Sequence, residues 1–151
     1  MTARLVLAFA LLAGTVAVAQ AQAQPGWEVR VPERVELAEG SSGTLAISLA
    51  IDRGLTVSRD APVIVDLDVP RGVTVRRRRL GRDDAVDPDA DAPRFAISVR
   101  ADAVGDHAIA IRLRFWLCSR KLCRPIDVRR TTTIAVAAPP PTGPAPDAGS
   151  R

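Results

Sequence analysis

GDHAIAIRLRFWLCSRKLCRPIDVRRTTTIAV, residues 105–136, is the stretch whose pattern decides the fold. Ile109, Ile111, Leu113, Phe115 and Leu117 fall on every second position, the period of a strand with one face buried. After the interval Ser119-Arg120-Lys121-Leu122, a second apolar set follows at Val128, Thr132, Ile134 and Val136. Two such runs joined by a short polar interval predict an antiparallel hairpin. The period also assigns the opposite face of the first strand to Arg112, Arg114, Trp116 and Cys118, so the sulfur of Cys118 is expected at or near the surface.

The same alternation extends outward from the hairpin. Leu45, Ile47, Leu49 and Ile51 form one stripe, Val63, Val65, Leu67 and Val69 a second, and Phe95, Ile97 and Val99 a third. Val29 with Val31, and Val35 with Leu37, add short pieces. Turn residues punctuate these runs at Glu39-Gly40-Ser41-Ser42-Gly43, Asp52-Arg53-Gly54, Asp60-Ala61-Pro62, Pro70-Arg71-Gly72 and Gly105-Asp106. No stretch after the first residues carries a helical period. Short strands at this spacing predict an all-β fold, an immunoglobulin-like antiparallel β-sandwich, with a small barrel as the competing closure.

Residues 76–93 carry no strand pattern. They run from Arg76-Arg77-Arg78-Arg79-Leu80-Gly81-Arg82 into Asp83, Asp84, Asp87, Asp89 and Asp91. A solvated loop of self-neutralising charge is the plain expectation, although a loop this long in a compact domain is often functional. Asp87, Asp89 and Asp91 alternate as calcium ligands do, but Ala92 and Ser98 stand where an EF-hand needs Gly and Glu.

The chain opens with Arg4 ahead of an apolar run from Leu5 to Ala19 and an A-x-A pattern through Ala23. That is the form of a secretory leader and is too short for a membrane span. The expected organisation is a signal peptide at 1–23, one domain at 24–138 and a Pro-rich disordered tail at 139–151. The product is expected to be exported, periplasmic or beyond, not membrane-embedded, and monomeric. Losing the leader lowers the net charge from +4 to +3, since it holds Arg4 and no acid. With three Phe, two Trp and no Tyr, the chain lacks the base-stacking aromatics of a nucleic-acid binder, and no nucleic-acid partner is expected.

Both cysteines of the chain lie in the hairpin, with four residues between them. In an exported protein such a pair ends up oxidised, and positions flanking a four-residue hairpin loop face each other within bridging distance. Closing so small a loop stabilises the fold by only about 2 kcal/mol. Two readings stay open: a structural staple, or a bond that opens and closes without unfolding the domain. Arg114, Arg120, Lys121 and Arg124 are candidate cations to stabilise a thiolate, and Trp116 is a candidate docking surface. Two cysteines and His107 cannot supply a zinc site, so no metal or cofactor is expected. His107, following Gly105-Asp106, reads as a solvated residue at a strand start. No hydrolytic triad, paired-carboxylate site or phosphate loop can be assembled.

From about Gly54 to Val136 the order of features resembles the amino-terminal periplasmic domain family of the thiol:disulfide interchange protein DsbD. The segments carrying the likeness are GLTVS, VIVDLDVPRGV, PRFAISVRA, GDHAIAIRLRFWLC and CRPIDVRRTTTIAV. The resemblance implies that Cys118 and Cys123 are a redox-active dithiol. It also implies a cap loop corresponding to Arg76 through Asp84, with Arg79, Leu80 and Gly81 at its centre and Leu80 where the family has an aromatic. The partner implied is a thioredoxin-like or membrane thiol-transfer protein, separate from this chain.

Overall fold

The computed structural model describes residues 26–139, so the leader expected at 1–23 and all but the first residue of the tail expected at 139–151 lie outside the described residues. Ten strands follow in chain order: β1 (Trp27–Arg30), β2 (Arg34–Ala38), β3 (Ser42–Ile51), β4 (Thr56–Val57), β5 (Ile64–Asp68), β6 (Val73–Val75), β7 (Arg79–Leu80), β8 (Arg94–Ala101), β9 (Gly105–Cys118) and β10 (Cys123–Ala137). One sheet has the order β1-β3-β8-β6. The other has the order β2-β10-β9-β5-β7, with β4 also pairing β9.

The apolar stripes turn inward as the period requires. β8 alternates strictly, with Phe95, Ile97, Val99 and Ala101 sealed and the residues between them exposed. These meet Leu45, Ile47 and Leu49 from β3 and Ile109, Ile111, Leu113, Phe115 and Leu117 from β9 in one core. Trp27 stands edge-on to Phe115, with ring centroids 5.8 Å apart. Each large side chain so buried contributes about 1.5–3 kcal/mol. The molecule is an immunoglobulin-like β-sandwich.

Among the described residues every strand pairing is antiparallel except one. Val31-Pro32-Glu33 carries the chain from β1 in the first sheet to β2 in the second, where β2 runs parallel to β10 from Arg34↔Thr133 to Ala38↔Ala137. The crossing is pinned by Thr132, a buried polar residue whose hydroxyl donates to the Pro32 carbonyl at 2.7 Å.

Two local expectations change. Within residues 76–93, Arg79 and Leu80 form a strand against Asp66 and Val65, and Arg82–Asp84 make a 3-10 turn closed by Gly81 N–H donating to the Asp84 carboxylate. The strand is too short for alternation to reveal it. His107 is half-buried: its Nε2 lies 2.8 Å from the Ala103 carbonyl, and its ring occupies the space a side chain at residue 72 would need. Gly72, at φ 94, both makes the turn and makes room for that ring.

Candidate functional site at the hairpin tip

β9 and β10 pair without a bulge from Gly105↔Val136 to Cys118↔Cys123. Ser119 N–H donates to the Leu122 carbonyl at 2.8 Å, closing the loop. The alternation of an antiparallel ladder then makes 118 and 123 a non-hydrogen-bonded pair, the closer kind. Their Cα atoms lie 4.0 Å apart and the sulfurs are joined as a disulfide. The Ser119 side chain organises the turn, accepting from the backbone N–H groups of Lys121 and Leu122.

The two sulfurs are not equivalent. Cys123 is exposed, whereas Cys118 retains 9% of its surface. Sequence alternation alone expects Cys118 at the surface, and the correction comes from β4, a two-residue strand that pairs Thr56 with Cys118. Flanked by Thr56 on one side and Cys123 on the other, Cys118 is covered without joining the apolar core.

The cations suggested by sequence divide into groups. Arg120 and Lys121 sit exposed in the turn and make no ion pair among the described residues. Arg114 is instead engaged by Asp66 at 2.7 Å, four residues and about 13 Å along the strand from Cys118. Arg124 pairs with Leu117 and so projects to the face opposite the bridge, where it borders a hollow with Leu55, Ser119 and Leu122. Trp116 lies across from Pro125 on the bridge's own face, and its carbonyl accepts from Ser58 N–H at 2.9 Å. Together with Pro62, Ile64 and the Arg114 and Asp127 side chains, these two line a shallow groove beside the bridge.

Arg79 and Leu80 belong to β7, which lies beyond β5 and therefore two strands from β9. Arg79 pairs with Asp66 at 3.4 Å, Leu80 packs at the core's edge, and Gly81 starts the 3-10 turn. What reaches toward Cys118 is the rest of the loop, acting through β4. The Arg82 guanidinium donates to the carbonyls of Val57 and Ser58, both at 2.9 Å, and to those of Pro88 and Ala90. Asp91 takes the Thr56 hydroxyl at 3.1 Å on its carboxylate and the Val57 N–H at 2.8 Å on its carbonyl. Burial, and then Arg59, pull Arg82 down from its ordinary value, with Asp89 and Asp91 opposing. Sequence reasoning misses the joint role of Thr56, Arg82 and Asp91 because the contacts that tie them to β4 join segments 24 to 35 residues apart. The acids placed among the arginines are the only signal of it.

Among the described residues no helix is long and apolar enough to cross a membrane. No protein-family model and no curated protein matches the chain. Solved structures with a similar fold include surface layer protein SbsC, domains 1–6, at 17% identity and TM-score 0.46, covering 76% of this chain, which spans 13% of that one. Murine CRIg matches at 8% identity and TM-score 0.46, covering 75% of this chain and 99% of its own. The BIgI domain of beta protein from S. agalactiae, bound there to CEACAM1, matches at 12% identity and TM-score 0.39, covering 76% of this chain and 99% of its own. These are likenesses of fold alone.

Proposed function

We propose that this is an exported, non-catalytic docking module, in which the disulfide fixes a hairpin tip that meets a partner protein. The observation that carries the reading is the exposure of Trp116 at 40% and Leu122 at 69%, one on each side of the bridge. Large apolar side chains left in water around a rigid point are what a protein interface uses as anchors. Arg120, Lys121 and Arg124 supply a charged rim. Export is supported by the leader pattern and by the oxidised pair.

A photo-crosslinking side chain placed at Arg120, exposed in the turn, should trap a protein that the same group at Thr44, exposed on the other sheet, does not. Trp116→Ala with Leu122→Ala should abolish that adduct, while Cys118→Ser with Cys123→Ser should retain it. Equal trapping from Thr44 would remove the basis for a tip-directed site.

A second reading, thiol-disulfide exchange, is favoured by the exposure of Cys123 and by the sequence resemblance to the DsbD family. A thiolate on a dithiol-bearing partner attacks Cys123 Sγ, and the Cys118–Cys123 bond breaks with its electron pair leaving on Cys118 Sγ. The partner's second thiolate then attacks the mixed disulfide and releases Cys123, so the partner is oxidised as this pair is reduced. Arg120 and Lys121 stabilise the negative charge on sulfur. Mixed with the partner in its disulfide form, Cys118→Ser should accumulate a mixed disulfide, as the Cys123 thiolate attacks the partner's disulfide and one partner sulfur leaves as thiolate. A reduction potential below about −300 mV would leave the bond structural and the first reading alone.

A further inference from the structure

β10 is paired along only part of its outer side. β2 covers Thr133–Ala137, and among the described residues no strand lies against the nine from Cys123 to Thr131. The next longest open edge among the described strands is residues 42–47 of β3, beyond the end of β1. The ladder's parity fixes which backbone groups face outward. Since 117/124 and 119/122 are hydrogen-bonded pairs, the even residues of β10 bond to β9 and the odd ones face away. Thr133 confirms the parity, because its N–H is directed outward to the Glu33 carbonyl at 3.0 Å. The N–H groups of Cys123, Asp127, Arg129 and Thr131, and the carbonyls of Pro125 and Asp127, therefore form an open row. The Arg129 carbonyl accepts from the neighbouring Arg130 side chain. Pro125 sits where it removes an outward donor and leaves the β9 ladder intact.

An open row of this length, about 30 Å, accepts an added strand. Its charge selects the occupant. Arg124, Arg129 and Arg130 make no ion pair among the described residues, while the strand's one acid, Asp127, is held by Arg112 at 3.0 Å. A second copy pairing antiparallel about Asp127 would set Arg124 opposite Arg130, and like charges directly opposed are destabilising. From this we infer that the open edge of β10 receives an extended, carboxylate-bearing segment of a partner protein, running away from Cys123. The inference rests on the docking reading above and names the partner's form and charge.

The probe is a blocked nine-residue peptide alternating Glu and Val, compared with its Lys-for-Glu counterpart. Amide exchange of the disulfide-bonded domain should slow at Asp127, Arg129 and Thr131 with the Glu peptide and remain unchanged at Ile126 and Val128, which already bond to β9. Arg129→Pro removes one outward donor and should weaken binding about tenfold. Arg129→Ala keeps that N–H and should lose less. If the Pro variant does not fold, methylating the peptide's amides on alternate residues gives the same comparison, with one of the two sets blocking binding. Equal binding of the Lys peptide, equal loss in Arg129→Ala and Arg129→Pro, or no slowed amide overturns the inference. So does sedimentation as a dimer protecting those same amides. Trp116→Ala should leave peptide binding intact, so failure of the tip reading and failure of the edge reading are separable.

Discussion

The two ends of the β9–β10 hairpin are built on different principles. At the closed end, β10 has β2 on its outer side, β9 has the core beneath it, and Ile109, Ile111 and Ile134 are sealed. At the open end β10 has no strand on its outer side among the described residues, Trp116 and Leu122 are in water, and a covalent bond joins the strands. One end is held by what surrounds it and the other by what crosses it. The chain spends its one disulfide where β10 has lost its outer neighbour.

The largest break in this comparison is expected at the closed end. Ile134→Ala leaves a cavity where nothing can collapse inward and should cost about 3–4 kcal/mol, read from denaturant unfolding. A loss as small as that of an exposed residue would mean that the closed end is not packed as described. Removing the bridge with Cys118→Ser and Cys123→Ser should cost about 2 kcal/mol, with faster amide exchange confined to residues near the tip. Accelerated exchange throughout β3 and β8 would show that the bridge supports the whole sandwich.

A smaller effect tests the cover over Cys118. Arg82→Ala removes four donated bonds and should destabilise by about 1–2 kcal/mol, since other donors and water reach part of the site. In a Cys123→Ser background it should also speed alkylation of Cys118 by a small iodoacetamide. An unchanged rate would mean that β4 shields the sulfur without help from the loop.

The smallest effect is a pH dependence. The hydrogen bond from Arg112 holds the Asp127 carboxyl below its usual range. A carboxyl depressed in the folded state contributes stability that is present above its unfolded value, near 4, and is lost as pH falls through the folded one. Both groups are largely exposed, so the contribution is weak. Carbon-detected titration should find Asp127 ionising below the ordinary carboxylate range, and Arg112→Gln should raise it toward that range.

Much of the sandwich is readable from period-two stripes because each buried face imposes its own alternation: β3, β5, β8, β9 and β10 lie where Leu45, Val65, Phe95, Ile111 and Ile134 place them. The facing of Cys118 and Cys123 is readable for the same local reason, a short loop and a fixed ladder. The shielding of Cys118 is not. It depends on Thr56, whose hydroxyl meets a carboxylate 35 residues away, and on Arg82, whose bonds end on backbone carbonyls, which leave no trace in residue type. Leu80 illustrates the limit from the other side: a two-residue strand is too brief to display any period. The parallel run of β2 beside β10 is equally silent in the alternation, which is the same for either direction.

That parallel run has a mechanical consequence. Tension drawn between the start of β2 and the end of β10 acts along two neighbouring strands in opposite senses, so the bonds between Arg34–Ala38 and Thr133–Ala137 are loaded together in shear instead of being unzipped singly. In single-molecule stretching, once β1 has peeled away, the domain should resist and then yield in one abrupt step; gradual lengthening at low force would show that this seam bears no load.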